Sequence, residues 1–397
     1  MSKKMYIRGI VATAIILLQV TSANALAPLI GIPTPNFGID DTHFMYAGQS
    51  GYSDAGDGPY THYVDNNAGC TDSGNPNGSA ANPRCNVPTT LAAGSVVELH
   101  GGPYSEMVLN FNGTANSPIF LRGASGTQVS LPGREGLDIN GSYAIIENVN
   151  VNRLKMESPD HITVRDSFIH DPVPGTGGMI GIGGNNLVFL RNEVARNGSV
   201  TDPKDHHGFN IGGPAFNIWI IENDIHHNGG DGIQFCHACV AAGNGGPGPI
   251  YIANNTIHED KENAIDLKEF TGPVIISGNE MYGYFRITSG QGETIRVNDE
   301  GNQGELWIIR NNIHDSNICI GPGASDAESY AVDNICNNNN FGIENGLTDR
   351  AGNLTNGVSD GDPNALYDLF QSRHGISIRP GAVNSVPPGP PTNLTVN

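Results

Sequence analysis

The sequence predicts an all-β chain wound as a parallel β-helix, a solenoid with capped ends, and three observations carry that prediction. The first is composition: 53 Gly and 25 Pro make 78 of 397 residues, about a fifth. Both residues cost stability inside helices, which excludes a helical bundle, and without a Gly-X-Y period collagen is excluded too. The second is a strand-like phrase that keeps returning: Ile145-Ile146-Glu147-Asn148, Val188-Phe189-Leu190-Arg191-Asn192, Ile220-Ile221-Glu222-Asn223, Ile252-Ala253-Asn254-Asn255, Ile275-Ile276-Ser277-Gly278-Asn279 and Ile308-Ile309-Arg310-Asn311. With Ser167 and Asn334 in equivalent slots, the steps from Asn148 are 19, 25, 31, 32, 24, 32 and 23 residues, the variable period of stacked coils. The third is an apolar–x–apolar phrase in each coil: Ile180-Gly181-Ile182, Phe209-Asn210-Ile211, Ile233-Gln234-Phe235, Ile265-Asp266-Leu267, Phe285-Arg286-Ile287, Ile318-Cys319-Ile320 and Ile343-Glu344.

Each element has a physical reason. Alternation at period two turns the apolar residues of the third phrase inward and the middle residue outward. The anchoring Asn suits a left-handed corner, and identical amides on successive coils stack in ladders. An antiparallel propeller needs paired hairpin turns, which are scarce. His170, His226, His258 and His314 recur three residues after the anchor. That recurrence favours turn residues over metal ligands.

The ends differ in composition. Lys3, Lys4 and Arg8 precede an apolar run from Ile10 to Val20, and Ser22-Ala23-Asn24-Ala25 follows. Residues 1–25 are therefore expected to be a signal peptide cleaved after Ala25, the run being too short to span a bilayer. Residues 26–85, rich in Gly, Asn and Asp, are expected to wrap the N-terminal end, and residues 86–380 to form the β-helix. Asp362-Pro363, then Asn364–His374 and Gly375, reads as a capped helix placed to plug the C-terminal end. Residues 381–397, with Pro387-Pro388-Gly389-Pro390-Pro391, read as an extended tail.

Charge and cysteines bound the partners. Of 20 Lys+Arg, three leave with the signal peptide, so 17 face 40 Asp+Glu and the mature net charge is −23. So acidic a surface repels nucleic acid and anionic lipid, and it admits an acidic polysaccharide only through a metal cation or a local basic cluster. Export implies a secreted or periplasmic protein, expected to be a monomer, in which disulfides form. Six cysteines group as Cys70/Cys85, Cys236/Cys239 and Cys319/Cys336, suggesting three local pairs among the 15 connectivities open to six cysteines. Cys236-His237-Ala238-Cys239 lacks a second, suitably placed cysteine pair for zinc.

The outward column of the third phrase holds the candidate chemistry. It reads Gly181, Asn210, Gln234, Asp266, Arg286, Cys319 and Glu344. Lys268 lies two residues beyond Asp266, and among Lys155, Lys204, Lys261 and Lys268 it is expected to be the lysine of a strand phrase. Small residues leave a shallow floor from which Asp266, Lys268 and Arg286 rise. His206, His207, Asn210, Gln234 and Tyr284 are expected to line it for substrate, and Asp231, Glu262 and Asp266 to hold a metal. The plain alternative is a solvated ion-pair surface.

The phrases Tyr63-Val64-Asp65, Pro88-Thr89-Thr90-Leu91, Ala93-Gly94-Ser95-Val96-Val97, Gly101-Gly102-Pro103-Tyr104 and Ser117-Pro118-Ile119 resemble the first coils of the pectate-lyase-like superfamily of right-handed parallel β-helix proteins. That superfamily includes lyases, hydrolases, epimerases and non-catalytic adhesins, so activity has to be argued from the site. The stretch Glu262-Asn263-Ala264-Ile265-Asp266-Leu267-Lys268, with Arg286 beyond it, resembles the acidic–Lys–Arg arrangement of chondroitinase-B-type and alginate lyases. The resemblance implies Ca2+ on Glu262 and Asp266, Lys268 as general base, and Arg286 as acid or carboxylate partner. β-Elimination removes a proton alpha to a carboxylate, which demands that the carboxylate charge be neutralised. A hard cation with oxygen ligands suits that task better than zinc. A lyase acting on alginate or pectate is therefore expected. A uronan C5-epimerase and a non-catalytic glycan- or calcium-binding β-helix stay open as alternatives, and a hydrolase is disfavoured by a lysine at the centre of the patch.

Overall fold

The computed structural model describes residues 26–39, 60–67, 69–124, 136–172, 178–199, 201, 203–240, 242–285, 292–298, 303–322 and 328–381. Residues 1–25, expected to be a signal peptide, Arg286 and nearly all of the tail 381–397 lie outside them. Each central coil contributes three short strands, and strands stack in parallel on the equivalents above and below, building three columns. One coil runs Ile265–Leu267, Val274–Ser277 and Glu280–Tyr282; the next runs Glu293–Val297, Glu305–Ile309 and Asn312–His314. Side chains pointing inward, such as Ile233, Ile265 and Ile295 from the first column and Ile252, Ile276 and Ile308 from the second, fuse into one apolar core.

The corners are held by a buried amide ladder. Asn192 accepts from the Ser167 N–H at 3.1 Å, and Asn223, Asn255, Asn279, Asn311 and Asn334 each accept from the backbone N–H and side-chain amide of the Asn one coil before, at 2.9–3.0 Å. Asn353 continues the ladder and Asp360 ends it. The left-handed residue is not the ladder Asn, as the sequence suggested, but the residue before it: Arg191, Glu222, Asn254, Arg310 and Asp333 all have φ between 50 and 57°. The Asn can then turn its amide inward. Asn148 takes such a left-handed position at φ 51° rather than a ladder position.

The outer face of the second column is apolar where a solvated sheet would be polar. Trp219, Tyr251, Ile275, Trp307 and Tyr330 form a second cluster there with Leu29 and Ile32 and with Leu366, Tyr367 and Phe370. Residues 26–39 therefore run lengthwise across coils, with Trp219 Nε1 donating to Pro33 O at 2.9 Å and Thr163 donating to Phe37 O. The helix Asn364–His374 forms where the sequence placed it, with Gly375 left-handed at φ 70°. It does not plug the end of the solenoid: its buried residues lie against this lateral face, because Trp307 and Tyr330 need cover. The three local disulfides are Cys70–Cys85, Cys236–Cys239 and Cys319–Cys336.

Candidate functional site

The first column presents its outward residues in the register Lys155, Gly181, Asn210, Gln234, Asp266, Arg296. Three corrections follow. The strand that pairs with Ile265–Leu267 is Glu293–Val297 rather than one at Phe285-Arg286-Ile287, and Arg296 pairs with Asp266. Phe285 ends the described segment more than half exposed, and Arg286 lies outside the described residues. The signal that could have found Arg296 is Ile295-Arg296-Val297, itself apolar–x–apolar and 30 residues beyond Asp266 rather than 20. Lys155 also belongs to the column, in the strand Leu154–Met156, so Lys268 is not its one lysine. Cys319, read as outward, is buried in the core and bonded to Cys336.

Asp266 is the centre of the patch. Its Oδ2 lies 3.4 Å from Lys268 Nζ and its Oδ1 3.7 Å from Arg296 Nε, with the carboxylate only 8% exposed. Among the described residues, neither Asp266 Oδ1 nor Arg296 Nε has a hydrogen-bond partner. A Cβ added to Gly181 would meet nothing within 4 Å, as expected of an open floor.

A buried acidic group continues from Asp266. Asp231, wholly buried, accepts through Oδ1 from Asn263 N–H at 3.1 Å and Asn263 Nδ2 at 2.8 Å. Lys261 Nζ reaches Asp205 at 3.2 Å and Glu262 at 3.8 Å. Burial, then the Asp231 and Asp205 charges, push Glu262 up to about 7, against the pull of Lys261. Burial and the Asp231 charge push Asp266 up to about 6, although Lys268 and Arg296 oppose them. The site thus holds more negative charge than its own cations offset.

That excess and the unpartnered Asp266 Oδ1 fit a hard cation with oxygen ligands such as calcium. Asp231, Glu262 and Asp266 do not form a preformed cage, however. Among the described residues, sets of three donors mutually within 4.8 Å are Asp224–His226–His258 and His227–His258–Glu259.

The expected substrate contacts divide. Asn210 and Gln234 face outward, half-buried, with Gln234 Nε2 3.5 Å from Asp231 Oδ2. Tyr284 is a core residue, 1% exposed, and its hydroxyl donates to Asp260, whose carboxyl burial pushes up to about 8. It cannot touch a glycan. His206 and His207 are buried as well, and His207 Nδ1 accepts from the Asp231 N–H at 3.0 Å, so it orients that carboxylate from beneath.

The class of fold is that of right-handed parallel β-helix proteins. No protein-family model and no curated protein matches the chain. Among solved structures it resembles pectate lyase Pel9A, with a TM-score of 0.57 at 16% identity over 73% of this chain and 77% of that one. It also resembles a rhamnogalacturonan lyase, with a TM-score of 0.51 at 13% identity over 73% and 87%. At such identities the likeness is one of fold.

Proposed function

We propose that the protein is an exported polysaccharide lyase that cleaves an acidic, uronate-containing polysaccharide such as alginate or pectate by β-elimination. The observation that carries this reading is Asp266 flanked by Lys268 and Arg296 on the open outward column. Asp266 needs one cation for itself, and the second, on an otherwise acidic protein, suits the reception of an anionic chain. The three disulfides accord with an oxidising, exported setting.

In this reading Lys268 is the general base, and its Nζ takes the C5 proton of the uronate. The C5–H pair becomes the C4=C5 double bond, and O4 leaves with its bonding pair and gains a proton from water. Arg296, its Nε turned toward Asp266 and its side chain 23% exposed, pairs through the guanidinium with the substrate carboxylate and holds the charge that builds as C5 loses its proton. Arg296 thereby takes the role the sequence gave to Arg286. Asp266 orients both cations. Asn210 and Gln234 line the chain along the column, while His207 fixes Asp231. Asp231, Glu262 and Asp266 would hold calcium, which would supply further positive charge beside the substrate carboxylate.

The test is incubation with a panel of polyuronates while ultraviolet absorbance is followed, since only elimination creates a conjugated unsaturated end. Lys268→Ala should lower the rate at least ~10²-fold with little change in substrate binding. Lys268→Arg, which keeps charge but holds its proton, should not restore it. A folded Lys268→Ala protein that forms unsaturated ends at the parent rate overturns the reading. An altered uronate ratio without absorbance would indicate an epimerase instead.

A further inference from the structure

The third strand column carries a second chemistry, away from the Asp266 patch. Its outward residues His226, His258, Tyr282 and His314 stack face to face, with centroids 4.8–5.1 Å apart and planes within 17°. The corner residues that follow them, His227 and Glu259, are neighbours on successive coils, both left-handed at φ 55° and 57°. We propose that His227 Nε2, His258 Nδ1 and Glu259 Oε2 form a binding site for a zinc-class divalent metal ion, with one coordination position open to solvent.

Distances support it. Glu259 Oε2 lies 3.0 Å from His258 Nδ1 and 3.7 Å from His227 Nε2, and all three donors are mutually within 4.8 Å. Ligands about 2.0–2.1 Å from a tetrahedral zinc lie about 3.3 Å from one another, so these separations straddle the value required. The two imidazole planes cross at 86°. Their lone pairs can converge from different directions, which stacked rings could not do.

The hydrogen bonds behind the donors supply an independent argument. His258 Nε2 faces Asp224 Oδ1 at 3.2 Å and Nδ1 faces Glu259 Oε2 at 3.0 Å; a carboxylate only accepts, so a metal ion at Nδ1 takes the place of a proton there, while Asp224 holds the hydrogen on Nε2. His226 Nε2 faces Glu193 Oε1 at 3.3 Å and therefore carries hydrogen too. The Nδ1 atoms of His226 and His227 are 2.8 Å apart, so neutral His226 accepts there and His227 donates. His227 Nε2 is thereby the ring nitrogen turned toward Glu259 Oε2, at 3.7 Å, with room for an ion between the two donors. Carboxylates on the far nitrogens of metal-binding histidines set this tautomer and raise their basicity.

The same corner elsewhere shows what fills such a notch when the protein does so itself. At His170–Asp171 the guanidinium of Arg196, on the next coil, lies 3.1 Å from His170 Nδ1 and 3.0 Å from Asp171 Oδ2. At His258–Glu259 the next corner is Gly283, which has no side chain to offer. The cation is external here. Two nitrogens and one carboxylate suit zinc over calcium, which prefers an all-oxygen set. The ion would join neighbouring coils, and it makes His258 an exception to the turn role that recurrence suggested.

The test uses the disulfide-bonded protein, stripped with chelator and titrated with Zn2+ by calorimetry. Co2+ serves as a spectroscopic probe. One equivalent of Zn2+ should bind in the presence of excess Ca2+, Co2+ should give the intense visible bands of a tetrahedral site, and the thermal midpoint should rise with Zn2+. His227→Asn, chosen because Asn tolerates a left-handed corner, and Glu259→Gln should each weaken binding at least tenfold. His314→Gln, in the same stacked column, should leave it unchanged. Absence of saturable binding, or parent affinity in both His227→Asn and Glu259→Gln, overturns the proposal. Neither result bears on the lyase reading, whose residues lie on another column.

Discussion

Truncating one rung of the amide ladder tests whether buried amides rather than apolar packing alone hold successive coils in register. Asn279 is 1% exposed; its Oδ1 accepts from Asn255 N–H and Asn255 Nδ2, both at 2.9 Å, and its Nδ2 donates to Ile252 O and Asn311 Oδ1. Asn279→Ala strands two donors of Asn255, itself buried, where water does not reach. At about 1–3 kcal/mol for each orphaned buried group, the expected loss is about 4 kcal/mol. Asn279→Ser should recover about half. Ser167 already serves in the column, accepting Val149 N–H through Oγ and donating to Arg165 O. Urea unfolding should report the loss as a lower midpoint at constant slope. Hydrogen exchange at the Asn255 amide reads the same coil locally. A loss under ~1 kcal/mol with unchanged Asn255 protection would refute the reasoning and leave packing as the sole determinant of register.

Three further outcomes are expected. Arg296→Gln should lower turnover by ~10²-fold or more, the scale of losing one preorganised donor, whereas Lys155→Ala, four coils from Asp266 in the same column, should not change it. Chelation should abolish turnover and calcium restore it; full activity in excess chelator removes the metal from the site. Glu305 tests the helix dock. Burial alone would raise its pKa, but the His374 ring nitrogen 3.3 Å away and donation from Arg373 and Trp307 hold it at about 2, below its ordinary 4.5. Its contribution is therefore present above about pH 4.5 and lost as pH falls through about 2. The shift is worth about 3 kcal/mol at face value, which solvent screening at this partly exposed carboxylate cuts to about 1–2. Glu305→Gln should be less stable than the parent near pH 7, with the gap closing toward pH 2 in thermal melts; a constant gap would refute the linkage.

The fold was legible because a stacked coil repeats its constraints. An inward pair such as Ile265 and Leu267 and an Asn at the corner are imposed on every turn, so the pattern survives variation in the loops. The lateral cover was not legible. Trp219, Trp307 and Tyr330 read as ordinary strand residues until the outward direction of each is known, so both the helix and residues 26–39 were assigned to the ends. The site failed at one step for a related reason. Locating the strand after Glu280–Tyr282 meant choosing between Phe285-Arg286-Ile287 and Ile295-Arg296-Val297, two phrases with the same alternation and the same cation. Alternation cannot distinguish them; loop length decides, and loop length is the least constrained quantity in a solenoid. The register with Asp266 resolves it, because a carboxylate 8% exposed needs a cation on the facing strand, and Arg296 is the residue the pairing brings there. Burial produced the opposite failure at Tyr284, His206 and His207, whose polar atoms suggested the groove. The hydrogen bonds of Tyr284 and His207 are directed into the wall beneath it, His207 through the backbone of Asp231, and His206 is buried there as well. A column can therefore be read from sequence as a list of outward residues. Which of them meet a substrate depends on the coil heights that the loops set.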